Sequence, residues 1–439
     1  MPDIVLFLLA LLIQAATIQS TPEWTLEDCI RRGLSEDARM KAGEESACSE
    51  RRTLERLPLE AIPAVSLTAA NDLNWGRSVD MQELQIIDNR LSSYTSFAAG
   101  ASLSINDAIG AFTLRRRTQQ LNVEKAVLSS DRIGESLTID IIKAYLQLLM
   151  ATQVRRKAQL SYEDIVRRRE RTETEVRAGM QPESAIYEME AQVQAEKASL
   201  VGAGNDLGRS LARLRSLMNL PAGEDLSILP PLEDSIAPPE DIPSEDEIER
   251  IADCRPQLQL ALKDISLTKA QSAEVRFAML PRLNVSAGYG SYHSNSLDTP
   301  WKEQLRTNRN PSMSFSLSVP LFDGGRSVTS AAKARAETTL KSLEAEAIRR
   351  EVREQIREAV LEVIDSYERY RAARGSLLAQ EALFAIHKRQ FDDGCLSGSD
   401  YSVARNSLNK AVTDYYQAKY DYLLHSLILN LYMGKPLNL

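Results

Sequence analysis

From Ser312 to Leu321 apolar and polar positions alternate. Met313, Phe315, Leu317, Val319 and Leu321 share one side of an extended chain, and Ser312, Ser314, Ser316 and Ser318 share the other. That two-residue period predicts a β-strand with one apolar face and one small, hydroxylated face. An earlier segment repeats it, with Phe97, Ala99, Ala101, Leu103 and Ile105 opposed to Ser96, Ala98, Gly100, Ser102 and Ser104. Strands are therefore predicted over about 95–106 and 312–321, with two more over about 64–75 and 282–292. Elsewhere the period lengthens to seven. Ile356, Val363, Tyr370, Leu377, Phe384 and Phe391 form a coiled-coil seam, with Arg353, Glu354, Arg357, Glu358, Glu362, Arg369 and Arg371 between them as a solvated face. No proline interrupts residues 326–391, so a single helix of about 66 residues is predicted, on the order of 100 Å long at about 1.5 Å per residue. A matching helix is predicted over about 111–177, with Ile141, Ile142, Tyr145, Leu148, Leu149 and Leu160 on its apolar side. Helices of this length have no globular core to lie against and must pack side by side with similar helices.

These elements come twice. Pro63-Ala64-Val65-Ser66-Leu67-Thr68-Ala69 returns as Pro281-Arg282-Leu283-Asn284-Val285-Ser286-Ala287. Gly179, Ser184, Asp206, Met218 and Pro221 align with Gly394, Ser399, Asp421, Met433 and Pro436 at a constant offset of 215. Each copy reads helix, strand, strand, long helix, return helix, the order expected of an internal duplication. The first copy covers 21–221 and the second 245–439, joined by a Pro-rich acidic linker over 222–244. Opening helices are predicted over about 26–56 and 245–277, and return helices over about 182–218 and 398–432. Each long helix stops at a glycine and restarts at Ser or Pro: Gly179 before Pro182 and Ser184, Gly394 before Ser397, Ser399 and Asp400. Gly to end a helix and Ser or Pro to begin the next is the chemistry of a helical hairpin.

Composition narrows the picture. There are 53 Lys and Arg against 61 Asp and Glu, a net charge of −8, which argues against a nucleic-acid partner. Residues 1–20 carry an apolar run from Ile4 to about Ala16, too short to span a bilayer, and read as a secretory signal cleaved near Ser20. Cys29, Cys48, Cys254 and Cys395 have neither metal spacing nor the density of a disulfide framework, and His293, His387 and His425 are equally scattered. Gly202-Ala203-Gly204 lies inside a helical stretch and not after a strand, so it is no nucleotide loop. No catalytic residue, metal site or cofactor is expected, and the chain does not read as an enzyme.

A small hydroxylated face suits a water-filled lumen better than a charged soluble surface, and segments of about ten residues match a tilted membrane strand. Trp75, Tyr94, Tyr292 and Trp301 flank these segments in the manner of aromatic girdles. Four strands cannot close a barrel, and an open edge in lipid leaves backbone groups unpaired at several kcal/mol each. Chains that span a membrane this way must pool their strands. Two would give about eight, an interior that side chains fill, and three about twelve, with room for a pore. The arithmetic favours a trimer.

Three motifs carry a family resemblance across nearly the whole mature chain. Val319-Pro320-Leu321-Phe322-Asp323-Gly324-Gly325-Arg326 resembles the strand-to-helix junction of the TolC-like outer membrane efflux proteins, where Pro320, Gly324 and Gly325 let a strand swing into a helix. Arg255-Pro256-Gln257-Leu258 is similar to that family's start of the second copy, and Trp24-Thr25-Leu26-Glu27-Asp28 to its usual opening. The resemblance implies a mainly α fold with membrane β: two tandem repeats, each of long α-helical hairpins plus two β-strands, assembled as a trimeric 12-stranded β-barrel continued by a 12-helix periplasmic α-barrel. It implies an exit duct of the Gram-negative outer membrane that exports small molecules or secreted substrates. The partners implied are two further copies, outer membrane lipid, a periplasmic adaptor (membrane fusion) protein and an inner membrane transporter of the resistance-nodulation-division or ABC type.

The hairpin tips are then the working site, with Gly179, Pro182, Ser184, Gly394, Ser397 and Ser399 as the expected adaptor contact. Asp400 matches a family position whose carboxylate faces the periplasmic constriction, while as a local element it also suits the cap of the returning helix. Val403, Leu396 and Ala185 stand where family members carry acidic or polar residues. These departures point away from a double carboxylate ring and a salt-bridge lock at the tip, and toward an apolar seal by Phe391 and Leu396. A periplasmic adaptor or a structural coiled coil of an envelope complex is the alternative. An adaptor usually has one hairpin flanked by other domains, and a coiled-coil scaffold leaves the serine-faced strands unexplained.

Overall fold

In the computed structural model, which describes residues 23–79, 86–221, 226–229, 236, 238, 239, 242–295, 297 and 299–437, each copy opens on a helix broken by a single extended residue. The expected signal over 1–20 and much of the 222–244 linker lie outside the described residues. In the first copy α1 (Leu26–Glu36) and α2 (Ala38–Arg56) are separated by Asp37 at φ −67° and ψ 131°. In the second, Arg255 at φ −67° and ψ 135° separates two helices, Glu245–Cys254 and Pro256–Phe277. Pro256 explains the second break, because a proline drives the residue before it out of the helical region. No proline follows Asp37. There the Asp37 carboxylate accepts the backbone N–H of Arg39 at 2.7 Å and so starts α2 as a helix cap does.

Strands β1 (Ala64–Val79) and β2 (Ile86–Ser104) follow, then a short helix Ile105–Gly110 and a wide turn Ala111–Arg115. Next come the long α3 (Arg116–Arg177) and the return helix α4 (Ser184–Leu217). The second copy runs α5 (Glu245–Cys254), α6 (Pro256–Phe277), β3 (Arg282–Ser294), the short α7 (Trp301–Thr307), β4 (Asn310–Ser318), the 67-residue α8 (Arg326–Asp392) and α9 (Gly398–Tyr432). β4 ends at Ser318, before the alternation does, because Pro320 has no N–H to give to a ladder. The chain divides into a strand unit, residues 44–128 and 260–347, and a hairpin unit made of the rest.

The strand unit is built on one antiparallel sheet of four strands in the order β1-β2-β3-β4. Its register aligns Leu67 with Ala99, Ala99 with Tyr289, Val285 with Phe315 and Ala287 with Met313. Residues directly opposite share a face. One face therefore carries Val65, Leu67, Phe97, Val285, Phe315 and Leu317, and the other Ser66, Ser102, Ser286, Ser314 and Ser316. Apart from the far end of β3, where Ser291 donates to the Leu305 carbonyl of α7 at 2.6 Å, neither face is covered: Leu67 is 84% and Phe315 67% exposed, and every residue of β4 is exposed. The register also corrects the girdle expectation. Trp75 and Tyr289 lie on the apolar face, but Tyr94 pairs with Asp72 and Tyr292 with Ser96, which puts both rings on the hydroxylated face. Alternation decides this, since an even step along a strand keeps a side chain on its face and an odd step reverses it.

The carboxamide of Asn106 holds the lower end of this sheet, donating to the Pro281 carbonyl at 2.7 Å and accepting from the Leu283 N–H at 3.0 Å. At the second junction Gly324 and Gly325 have φ of 71° and 81°, a left-handed pair that no side chain favours. Asp323 then accepts from the Ser327 N–H at 2.8 Å and from its hydroxyl, starting α8. The helical segments of this unit are joined by ion pairs, Lys125–Asp264 at 2.6 Å and Lys263–Glu124 at 2.5 Å.

The hairpin unit has the larger core. Leu26 and Cys29 of α1, Leu137, Ile141, Tyr145 and Leu148 of α3, Leu214 of α4 and Leu427 of α9 are buried together. Each such aliphatic contributes about 1.5–3 kcal/mol relative to exposure. Burial pushes the Cys29 thiol up to about 12, so it stays protonated and inert. α5 lies on α8 through Ile248 and Ala252 against Val352 and Ile356, flanked by Arg353–Glu249 at 3.0 Å and Arg357–Glu245 at 2.7 Å. Farther along, Val363 and Tyr370 of α8 pack on Tyr422 and Leu429 of α9.

Candidate functional site

Both hairpins end the same way. Gly179 has φ 73° and Gly394 φ 74°. The Gly179 N–H bonds the Val176 carbonyl at 2.9 Å and the Met180 N–H the Glu175 carbonyl at 2.9 Å. Gly394 to Phe391 at 3.0 Å and Cys395 to Gln390 at 2.7 Å repeat the arrangement. Paired bonds of this kind satisfy the last carbonyls of a helix and require the left-handed residue. The chain then restarts: the Pro182 carbonyl accepts the Ala185 N–H at 3.0 Å, just ahead of Ser184 in α4. In the second hairpin Ser397 is the cap. Its hydroxyl accepts the Asp400 N–H at 3.1 Å and donates to the Asp400 carboxylate at 2.7 Å. Asp400 thus supports the Ser397 cap from the first turn of α9 and is also exposed. Ser399 lies in the first turn of α9, Leu396 is half-buried, and Val403 is 65% exposed one turn on.

Behind these tips sits a buried ionic cluster that joins the four hairpin helices. Arg405 of α9 is only 6% exposed, 3.2 Å from Glu196 of α4 and 3.8 Å from Asp164 of α3, and it also donates to the Ser161 carbonyl. Arg168 of α3 pairs with Asp164 at 3.0 Å and with Asp392, the last residue of α8, at 3.1 Å. Its guanidinium lies 4.7 Å from the ring of the buried Tyr401 and 5.8 Å from that of Phe391. Phe391 stacks on Tyr401 with centroids 4.6 Å apart and packs against Ile165, Met189 and Val193. The Asn409 amide completes the set by donating to Glu196 at 3.3 Å. Burial alone would raise the Asp164 carboxyl, but the Arg168 hydrogen bond and the charges of Arg168 and Arg405 hold it below the usual carboxylate range. Burial likewise pushes the Tyr401 hydroxyl up. Removing one partner from such a cluster strands a buried charge, which is why it holds the hairpins together.

Of the residues singled out in the sequence, Gly179, Pro182, Ser184, Gly394, Ser397 and Ser399 fall at the two turns, and Leu396, Asp400 and Val403 border the second. Phe391 lies apart from these, engaged within the chain by Tyr401 and Arg168. Pro320, Gly324 and Gly325 belong to the strand unit. Sequence reasoning missed the cluster of Asp164, Arg168, Glu196, Tyr401 and Arg405. One signal for it is present: Arg405 falls four residues after Tyr401 and next to Ala404, on the apolar stripe of α9, where a charge needs a partner.

Residues 248–435 match the sequence profile of the family described as outer membrane efflux protein. Outer membrane protein TolC of Vibrio cholerae is 22% identical over 403 residues, 91% of this chain and 87% of that protein. Alkaline protease secretion protein AprF of Pseudomonas aeruginosa is 23% identical over 326 residues, 71% of this chain and 65% of its own length. Among solved structures, the CmeC outer membrane channel of Campylobacter jejuni superposes with a TM-score of 0.79 at 15% identity, covering 93% of this chain and 85% of that one.

Proposed function

We infer that this chain, a TolC-like outer membrane efflux protein, is one third of an exit duct in a Gram-negative outer membrane. The observation that carries the reading is the uncovered sheet. A single layer with an apolar face and a hydroxylated face, both bare, has no hydrophobic driving force to form in water. Lipid on one side and a water-filled lumen on the other satisfy both faces. The outward apolar face runs from Val65, Leu283 and Leu317 up to Leu73, Trp75 and Leu91, interrupted by the polar row of Asn71, Thr95 and His293. Such a band suits a hydrocarbon layer about 25 Å tall.

β1 and β4 are edges, and their N–H and C=O groups need partners in lipid. The two edges run in opposite directions, so β4 of one copy can continue an antiparallel ladder into β1 of the next. Three copies give a closed twelve-stranded barrel wide enough for a pore. The helices support the same assembly. α8 buries Ile356, Val363 and Tyr370 within the chain yet leaves Leu340, Leu343, Leu361, Leu378 and Leu383 exposed, a second face for a neighbouring copy in a twelve-helix tunnel.

The hairpin ends are the periplasmic aperture. Three Asp400 carboxylates around a threefold axis attract cations, Leu396 and Val403 supply an apolar constriction, and the ionic cluster behind them sets the hairpin spacing. A periplasmic adaptor contacts the tips at Gly179–Ser184 and Gly394–Ser399, and an inner membrane transporter, of the resistance-nodulation-division or the ABC type, supplies the energy. The description of the matching profile supports efflux, and the name of AprF supports protein secretion. The test is the native mass of the protein extracted in detergent from the outer membrane fraction. Three chains per particle are expected. A soluble periplasmic monomer would return the chain to the adaptor or scaffold class.

A further inference from the structure

We propose that the hydroxylated face of the sheet carries a binding site for organic cations, an ammonium on an aromatic or apolar body, formed by Asp72 of β1, Tyr94 of β2 and Tyr292 of β3. The proposal rests on the reading of that face as the lumen of the duct and names a class of cargo for it. Asp72 is the register partner of Tyr94, and Tyr292 is diagonal to Tyr94 across the next ladder. Opposed side chains in an antiparallel pair stand about 5 Å apart, and diagonal ones are within reach of aromatic rings. The two rings meet, with centroids 4.9 Å apart and planes at 30°. Carboxylate and stacked rings therefore lie side by side in one row across three strands.

The surroundings make this pair unusual. Among the described residues these are the only aromatic side chains that the register puts on the hydroxylated face. Their neighbours there are Ser92, Ser96, Ser294, Ala98 and Gly290, none large enough to cover a ring. Tyr94 is 39% exposed despite the stack. Gly290 beside Tyr292 carries no side chain, and a Cβ there would crowd the Phe97 carbonyl at 3.2 Å. A rim girdle does not account for the rings, since girdle residues face lipid and Trp75 and Tyr289 already occupy that side.

An acid beside an aromatic face is a recognition device for organic cations. The ring quadrupole attracts the positive centre, the carboxylate adds a charge, and the ring also accepts an apolar body. The charge in this row is the Asp72 carboxylate, which repels small anions and attracts cations, so the site sorts by charge. Its three copies would line the duct between the rows of Asn71 and Trp75.

Benzyltrimethylammonium is a suitable probe, measured as block of the ion current through the purified trimer in a planar bilayer. The cation is expected to block the native channel at lower concentration than benzenesulfonate does. Y94L/Y292L should raise the half-blocking concentration about tenfold. D72N should raise it about fivefold, and Y94F/Y292F, which keeps both ring faces, should leave it unchanged. Equal block of the native and Y94L/Y292L channels, or equal block by the sulfonate, overturns the site and leaves the duct reading standing. A detergent-extracted particle whose mass is not three chains overturns the duct reading and the site with it.

Discussion

Four residues hold a left-handed conformation at the ends of the four hairpin helices, and they are paired by the duplication. Gly179 and Gly394 are one pair; Asn219, at φ 51°, and Gly434, at φ 69°, are the other, again 215 residues apart. Asn219 keeps the bonds of the cap, its N–H to Ser216 at 3.3 Å and the Leu220 N–H to Arg215 at 3.0 Å, because Asn tolerates this region better than other side chains. Gly394→Ala should destabilise the second hairpin by about 1–2 kcal/mol, read as a lower thermal midpoint, while Asn219→Gly should leave it unchanged or slightly higher. The ionic cluster behaves differently. Arg405→Met leaves Glu196 and Asp164 facing each other without the guanidinium between them, a loss of about 3–5 kcal/mol. Adding Glu196→Gln should recover much of it, and limited proteolysis of the hairpin ends reports both. The Asp164 carboxyl is held below its ordinary value, so its contribution is fully present above the unfolded pKa of about 3.9 and is lost as pH falls through the lower folded one. Protease resistance at the tips should thus be flat from pH 8 to 5 and drop only below about pH 4.

The heptad seam of α8 serves three partners in turn. Ile356 meets α5, Val363 and Tyr370 meet α9, and Phe384 and Phe391 close on Tyr401 at 5.5 and 4.6 Å. One seven-residue period can do this because each heptad presents the same stripe to whichever helix lies there. The opposite stripe has no partner within the chain. Leu361, 64% exposed, and Leu378 are therefore tests of assembly and not of folding. Leu361→Glu with Leu378→Glu should lower the trimer fraction several-fold in detergent while the far-ultraviolet circular dichroism stays the same. Loss of helicity instead would place these residues in the folding core.

For the whole molecule, the division of labour follows its two units. The strand unit has two uncovered faces and two open edges, so its environment must be completed by lipid, water and further copies. The hairpin unit is packed within itself and carries its own ionic tie. On the proposed function, opening the duct is work done on the hairpins and not on the sheet. Leu396→Ser with Val403→Ser should raise the resting leak of the reconstituted trimer several-fold, since both side chains border the turn without bonding the cluster. Asp400→Asn should lower its preference for cations, with little change in stability because Ser397 still caps the helix and the Asn carbonyl can still accept from its hydroxyl. An unchanged leak would remove the apolar constriction from the mechanism.

The sequence by itself determined the mainly α class with its modest share of strand, because those properties rest on local period and on caps. A seven-residue repeat without proline makes a long helix, and Ser alternating with Leu, Phe and Met makes a two-faced strand whatever surrounds it. The break before Pro256 is local too. The break at Asp37 was hidden, since a capping aspartate reads the same inside a helix as between two. Only tertiary structure decided the rest. Tyr94 and Tyr292 belong to the hydroxylated face through a pairing register that joins residues about 20 and 200 positions apart. Asp164, Arg168, Glu196, Asp392 and Arg405 become a cluster only when four helices meet. Charges far apart in a chain have no mutual energy until folding brings them within a few Å and removes the water between them.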